Sequence, residues 1–361
     1  MTGAESSFAL NCRFLEKPMR GIGRYATGIL VELRRRGIPV LAVASRRIHS
    51  KHMEVAGSSQ VESIGRWRGH IWEQCELPRF LRRLGEPALL NVVNTAPIRY
   101  QRQATVIHDL SFLRMPSSFA PRFRLFYQVV VPRAAAASAV IVTDSQFSKR
   151  EMVDLLRVAP ERVEVVYPFV GDEMLRLAAE RNSASPGDYA LMVSSLNPRK
   201  NLRRGLAGFH AARVSGLRLV LVGASSTAFS SPEIRDLITD QVDVRSDVTD
   251  RELVALYRGA RLFLYPSLYE GFGIPPLEAM MCDCPVVAAR AASLPEVCGD
   301  AAHYVDPFDV DSIADGIRTV AESDVLRARL IRHGQALQSG FRVERTVERL
   351  CDVMRRVADD Q

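Results

Sequence analysis

Short apolar runs alternate with stretches of helical period along most of the chain. Phe8-Ala9-Leu10-Asn11-Cys12 predicts a strand, and a loop through Lys17-Pro18 follows. Tyr25, Ile29, Leu30 and Leu33 fall on one helical face, which predicts a helix from about Tyr25 to Arg36. Gly37 ends that helix, and Pro39-Val40-Leu41-Ala42-Val43 reads as the next strand. Ala88 to Val93, Ala104 to Ile107 and Ala139 to Val142 read as further buried strands. The polar, turn-rich stretch from Arg181 to Asp188 predicts a linker. A second series begins after it, with strands at Tyr189 to Val193, Leu217 to Gly223, Ala260 to Pro266 and Pro285 to Ala288. Helices are expected between them at Asp250 to Arg258 and Pro276 to Met281, and again in the tail from about Val343 to Val357.

Strands that alternate with helices predict parallel sheets covered on both faces. The expectation is two α/β domains in tandem, 1–183 and 184–342, separated by a cleft, with ligands beyond the carboxyl ends of the strands. A chain of 361 residues, 47% hydrophobic and 25% charged, can fill two such cores and excludes a disordered protein. No apolar run reaches the roughly 20 residues of a membrane-spanning helix, and Met1 to Leu10 carries no secretory pattern. The six cysteines are scattered, which predicts free thiols in a reducing cytoplasm rather than a zinc site or a disulfide framework.

Net charge is +7, with basic clusters at Arg34-Arg35-Arg36, Arg46-Arg47 and Arg82-Arg83. These read either as a solvated basic surface or as attraction to anionic partners, such as diphosphates or an acidic membrane face. No nucleic-acid-binding module surrounds them, so no nucleic acid partner is expected.

The segment Ser267-Leu268-Tyr269-Glu270-Gly271-Phe272-Gly273-Ile274-Pro275-Pro276-Leu277-Glu278-Ala279-Met280 carries the most chemistry. It reads as a strand end, a glycine-containing loop, and a helix opening at Pro275 or Pro276. Gly271 and Gly273 let backbone amides approach a ligand closely, and a helix N-terminus favours an anion such as phosphate. Glu270 and Glu278 can accept hydrogen bonds from sugar and ribose hydroxyls, or can simply be acidic residues stabilised at a helix start. Arg199 and Lys200, in Ser194-Ser195-Leu196-Asn197-Pro198-Arg199-Lys200-Asn201, follow a strand end, where cations can neutralise a diphosphate leaving group. Gly21-Ile22-Gly23-Arg24-Tyr25-Ala26 formally matches a dinucleotide fingerprint, but no acidic residue ends the second strand. Asp309-Val310-Asp311 has the form of a metal motif, yet its place just before an amphipathic pattern predicts N-capping.

Two glutamates with seven residues between them, as E-G-F-G-I-P-P-L-E, resemble the signature of retaining glycosyltransferases of the GT-B fold, family 4. The resemblance implies two Rossmann-like domains facing each other across a cleft, with a last helix, about 343–361, crossing back onto the first domain. It implies that Glu270 binds donor-sugar hydroxyls and Glu278 the nucleotide ribose. Gly271, Phe272, Gly273 and Ile274 would meet sugar and phosphates, with Ser195 and Asn197 nearby. Arg199 and Lys200 would form the diphosphate clamp. His108, at a strand end, would contact the sugar 6-hydroxyl, with Asp109 orienting it or its loop. Gly21 and Gly23 would form a loop near the donor phosphate and acceptor.

Val165-Val166-Tyr167-Pro168-Phe169-Val170 departs from the family's P-N-G-V-D segment. The implied reaction moves a hexose from a nucleotide diphosphate sugar to a glycan or lipid-linked acceptor, needs no metal, and retains anomeric configuration. GDP-mannose is the first expected donor, with UDP- or dTDP-sugars next, in bacterial surface polysaccharide synthesis. The place expected is the cytoplasm, with peripheral contact at the inner membrane face. A sugar-nucleotide epimerase of the same shape and a non-catalytic sugar-nucleotide-binding subunit are the alternatives.

Overall fold

The computed structural model describes residues 8–17, 21–180, 187–223 and 232–359. Seven strands form the first sheet: β1 (Phe8–Asn11), β2 (Val40–Ser45), β3 (Glu62–Ile64), β4 (Leu89–Asn91), β5 (Gln103–Val106), β6 (Val140–Thr143) and β7 (Val163–Val165). Their order is β3-β2-β1-β4-β5-β6-β7, with every pair parallel. Six more form the second: β8 (Tyr189–Val193), β9 (Arg218–Val222), β10 (Val242–Arg245), β11 (Leu262–Tyr265), β12 (Val286–Ala289) and β13 (Ala302–Val305). Their order, β10-β9-β8-β11-β12-β13, is again parallel throughout. Both sheets start at a central strand, run to one edge, then cross over and run to the other. The strand order therefore reverses between β1 and β4, and between β8 and β11, and a doubly wound sheet opens a binding crevice at such a point.

The helices that bear on function are α1 (Gly21–Arg35), α2 (Pro121–Ala137), α3 (Asp172–Ala179), α4 (Leu202–Ala212), α5 (Asp250–Gly259), α6 (Ile274–Met281), α7 (Val310–Glu322) and α8 (Val343–Asp359). Apolar residues at helical spacing bury one face of each long amphipathic helix. In α8 the buried set is Val343, Val347, Leu350, Val353, Met354 and Val357, which joins the core under β1, β2 and β4 together with Ile29, Leu30 and Leu33 of α1. On the second sheet, Leu206 and Phe209 of α4 pack with Ile313, Ile317 and Val320 of α7 against Leu219, Leu221 and Leu264. Asp309 caps α7, its carboxylate accepting from the Asp311 amide at 3.0 Å, as its position predicts.

The chain divides into two units, residues Met1–Arg114, Phe119–Gly171 and Phe341–Gln361 in one, Met115–Ser118 and Asp172–Gly340 in the other. The terminal helix α8 thus belongs to the first unit. The passage from one unit to the other falls at Gly171–Asp172, ahead of the expected division at 183/184. Helix α3 is the reason: it packs on α5 and α6, and the Arg258 guanidinium donates to the carbonyls of Leu177 and Ala178 at 3.0 and 2.7 Å. Most of the expected linker, 181–186, and Pro18 of the expected early loop lie outside the described residues. Helix α1 starts at Gly21 rather than Tyr25, so Gly21 and Gly23 occupy its first turn and are not a preceding loop. All six cysteines are unpaired, and burial pushes the Cys282 thiol up to about 12. Among the described residues no helix is long and apolar enough to cross a membrane.

Candidate active site

In the second unit the two central strands, β8 and β11, deliver the charged residues at the point of strand-order reversal. After β8, Asn197 caps a short turn, Pro198–Lys200, by accepting from the Arg199 amide at 3.1 Å. Asn201 then takes a left-handed conformation, φ 58°, and starts α4. Its buried amide donates to the carbonyls of Pro266 and Pro307 at 3.0 and 2.7 Å. The Leu268 amide donates to the Arg199 carbonyl at 2.8 Å. These bonds stitch the loop after β8 to the loop after β11, which is why residues about seventy positions apart converge.

The convergence centres on Glu270. Its carboxylate meets Lys200 Nζ at 2.7 Å and Arg199 Nη1 at 3.3 Å. The Tyr265 hydroxyl donates to it at 2.9 Å, and the Ser267 hydroxyl lies 2.5 Å away. Lys200 Nζ also donates to the Tyr265 hydroxyl at 2.8 Å. Burial works to raise the Glu270 pKa, but the charges of Lys200 and Arg199, with hydrogen bonds from Lys200 and Ser267, outweigh it and hold the carboxyl below its ordinary value. Burial and the neighbouring Glu270 push Tyr265 well above the ordinary tyrosine value, so it remains a phenol. Two half-buried cations, Lys200 and Arg199, thus converge on the one buried carboxylate of Glu270.

Gly271, Phe272 and Gly273 carry the chain from Glu270 into α6 and are buried. Gly273 is the N-cap with φ 110°, and a Cβ there would lie 2.7 Å from Leu294 Cδ2, so the position demands glycine. The Ser293 hydroxyl braces this loop, lying 2.9 Å from the Glu270 carbonyl and 2.7 Å from that of Phe272. Ile274 opens the helix, ahead of the prolines expected to do so. Glu278 is half-buried one turn in, and accepts from the buried Tyr257 hydroxyl at 3.2 Å. Ser195 is exposed on the loop after β8. Among the described residues no group of three or more His, Cys, Asp or Glu is placed to hold a metal ion.

The first unit holds His108, Asp109, Gly21 and Gly23. His108 is buried just beyond β5, its amide donating to Asn94 Oδ1 at 2.8 Å. Its ring hydrogen-bonds Asp144, at 2.9 Å from Nδ1, and the Asp109 charge acts on it in the same sense. Asp109 accepts from the amide and hydroxyl of Ser111 at 2.9 and 2.6 Å, which shapes the turn after the strand. His108 Nε2 lies 3.2 Å from the Val92 carbonyl, and the Tyr25 ring of α1 stands edge-on with centroids 5.1 Å apart. Burial works to lower the His108 pKa, yet the Asp144 charge and its hydrogen bond raise it above the ordinary value. Both ring nitrogens face acceptors, the arrangement an imidazolium satisfies.

At the reversal point of the first sheet, Arg13 donates to the fully buried Glu73 at 2.9 Å and to Thr95 at 2.8 Å. Asn11 donates to Glu73 at 3.0 Å. Burial works against ionisation of Glu73, but Arg13, His70 and Thr95 hold its pKa at about 2. Neither this network nor Tyr265, Ser267, Asn201 and Asp144 was singled out as chemistry in the sequence. Asp144 had a readable signal, since the register that sets Val106 beside Val142 carries on two residues to His108 and Asp144.

Residues 176–337 match the family model described as Glycosyl transferases group 1, and residues 19–173 match that described as Glycosyltransferase Family 4. The chain is 33% identical over 260 residues to O-antigen chain mannosyltransferase B of Escherichia coli, covering 68% of each. It is 24% identical over 327 residues to O-antigen chain mannosyltransferase RfbU of Salmonella typhimurium, covering 87% of this chain and 90% of that one. It spans only 30–31% of the length of three serotype-specific WbdA mannosyltransferases of Escherichia coli. Its fold matches that of a glycosyltransferase from Rickettsia africae with TM-score 0.73 at 11% identity, covering 98% of this chain and 100% of the other. The strand order of the two units, the E-G-F-G-I-P-P-L-E segment and these matches agree: the chain belongs to glycosyltransferase family 4 and is a GT-B glycosyltransferase.

Proposed function

We propose that the chain transfers a hexosyl unit, mannosyl first, from a nucleotide diphosphate sugar to a hydroxyl of a glycan or lipid-linked acceptor, with retained anomeric configuration. GDP-mannose is the first donor, UDP- and dTDP-sugars the alternatives, and bacterial surface polysaccharide the product. The observation that carries the reading is the ion cluster of Glu270, Arg199 and Lys200 at the strand-order reversal of the second unit. The names of the mannosyltransferase relatives support the choice of sugar.

The ionised Glu270 can only accept hydrogen bonds, so it suits the hydroxyls of a sugar. Lys200 and Arg199 hold that carboxylate in place and meet the donor diphosphate with positive charge. In a front-side displacement the bond from sugar carbon to phosphate oxygen breaks, its electron pair leaving with the diphosphate. The acceptor oxygen bonds the same face, and its proton passes to the departing phosphate. Arg199, Lys200 and the first amides of α6 take the developing negative charge, so the reaction is assigned no metal. Glu278 accepts from the ribose. Gly271, Phe272, Gly273 and Ile274, with Ser195 and Asn197, line the donor. In the first unit His108 faces the donor as a ring held by Asp144, and any bond from it to a donor hydroxyl is shared with the Val92 carbonyl. Gly21 and Gly23 offer the first-turn amides of α1.

The test is a panel of nucleotide sugars incubated with the protein and a chelator. Protection against thermal unfolding and slow release of free sugar are expected from GDP-mannose above the others, with an α-configured product on transfer. Protection by no nucleotide sugar would refute the reading.

A further inference from the structure

Helix α5 packs beside α6 and is anchored at both ends. A capping box fixes its start: Thr249 Oγ1 accepts from the Glu252 amide at 3.3 Å, and the Glu252 carboxylate accepts from the Thr249 amide at 2.8 Å. Near its other end the Tyr189 hydroxyl donates to the Leu256 carbonyl at 2.7 Å, and Arg258 donates to α3. Tyr257 stands between those two anchors and is fully buried. Its ring lies edge-on to Phe263 of β11, centroids 5.3 Å apart, and Phe263 stacks on Tyr265 at 5.6 Å. This row of rings carries two hydroxyls to two carboxylates: Tyr265 donates to Glu270, and Tyr257 donates to Glu278 Oε2 at 3.2 Å.

The two glutamates are held by different chemistry. Glu270 meets two cations, which offset its charge. Tyr257 gives Glu278 a neutral donor, which fixes a carboxylate without offsetting its charge. Burial and the Glu278 charge push the Tyr257 pKa well above the ordinary tyrosine value, so the hydroxyl keeps its proton. Packing against Phe263 needs only the ring, so the hydroxyl has its use at Glu278. A carboxylate offers about four acceptor sites, and this bond takes one of them. A glutamate side chain loses rotamer freedom when it grips a ligand, and one already fixed has less to lose. A fixed, half-buried carboxylate matches the vicinal hydroxyls of a ribose, and a nucleotide lacking them would leave it unmatched.

Given the proposed role of Glu278 toward the ribose, we infer that Tyr257 is a positioning residue, whose hydroxyl fixes the Glu278 carboxylate to receive the 2′- and 3′-hydroxyls of the donor nucleotide. The experiment is calorimetric titration of GDP and its 2′,3′-dideoxy form, or the UDP pair if GDP does not bind, into wild type, E278A and Y257F. The wild type should prefer the ribonucleotide by about thirtyfold and E278A by about threefold at most, while Y257F should lose about a factor of ten from the wild-type ratio. Affinity for the dideoxy nucleotide should be equal in all three proteins, which a loss of packing would not leave intact. The donor Michaelis constant of Y257F should rise about tenfold, with kcat within about threefold of the wild type.

A wild type that binds neither pair or ignores the ribose hydroxyls, or an E278A that still prefers the ribonucleotide, would remove the ribose role of Glu278 and this inference with it. Preference lost in E278A but kept in Y257F would overturn the positioning role alone. Equal weakening of both nucleotides in Y257F would overturn it as well, by reducing Tyr257 to packing. E278D keeps the charge but withdraws it from Tyr257, and serves if Y257F does not fold. A wild-type preference in E278D would likewise overturn the inference.

Discussion

Lys200 Nζ sits 2.7 Å from Glu270 and 2.8 Å from the Tyr265 hydroxyl, so in the proposed reaction a donor diphosphate would meet cations that already have an anionic partner. That partner keeps the lysine extended toward the loop after β11 and is itself kept ionised. The two roles expected of these residues, sugar recognition and leaving-group stabilisation, are thereby coupled: removing either charge disturbs the other. His108 presents the opposite case. Its pKa is raised above 6.5 by Asp144, so its contribution to stability is fully present below about pH 6.5 and is lost as pH rises through the raised folded value. The expected result is a stability that declines over that window, with a slope of at most ~1.4 kcal/mol per pH unit for the one proton. Asp144→Asn should flatten this slope in denaturant titrations at a series of pH values. An equal slope in the variant would dismiss the pair as its source. The residues legible beforehand, Glu270, Arg199 and Lys200, stand in short segments of unusual chemistry. Asp144 and Arg13 do not: Asp144 meets His108 through strand pairing and Arg13 meets Glu73 through a loop crossing, at separations of 36 and 60 residues.

Helix α6 ties sequence to site most tightly. Its entry turns on Gly273, where φ is 110° and a Cβ would lie 2.7 Å from Leu294 Cδ2, so that side chain would have to shift. Gly273→Ala should cost about 1–3 kcal/mol of stability through backbone strain alone and should move the first amides of α6. Thermal unfolding and the donor Michaelis constant read the two effects. A variant unchanged in both would show that the loop relaxes freely. The strands that periodicity did not reveal are β3, β7, β10 and β13, which are the four sheet edges. The reason is physical: a central strand is covered on both faces and reads as an apolar run, whereas Glu62–Ile64 and Val242–Arg245 are short, partly exposed and charged. The early start of α1 was illegible because Gly21-Ile22-Gly23 has the composition of a loop. Helix α2 escaped notice because apolar residues on both its faces cancel the helical signal.

The molecule as a whole uses one strand order twice, and in the second unit the ion cluster of Glu270, Arg199 and Lys200 lies where that order reverses. The alternation of strands and helices made the α/β class readable from the chain. The membership of the last helix in the first unit was expected from family resemblance, because nothing local in Val343–Asp359 names its partner. The passage at Gly171–Asp172 was not expected, since the polar stretch after Arg181 has the stronger linker composition. The proposed catalysis rests on buried charge in the second unit rather than on any nucleophile, and the release of nucleoside diphosphate from the preferred nucleotide sugar measures it directly. Lys200→Ala and Glu270→Ala should each slow that release by about a hundredfold or more while melting as cooperatively as the wild type. Release at the wild-type rate in either variant would contradict the assignment of this cluster to sugar transfer.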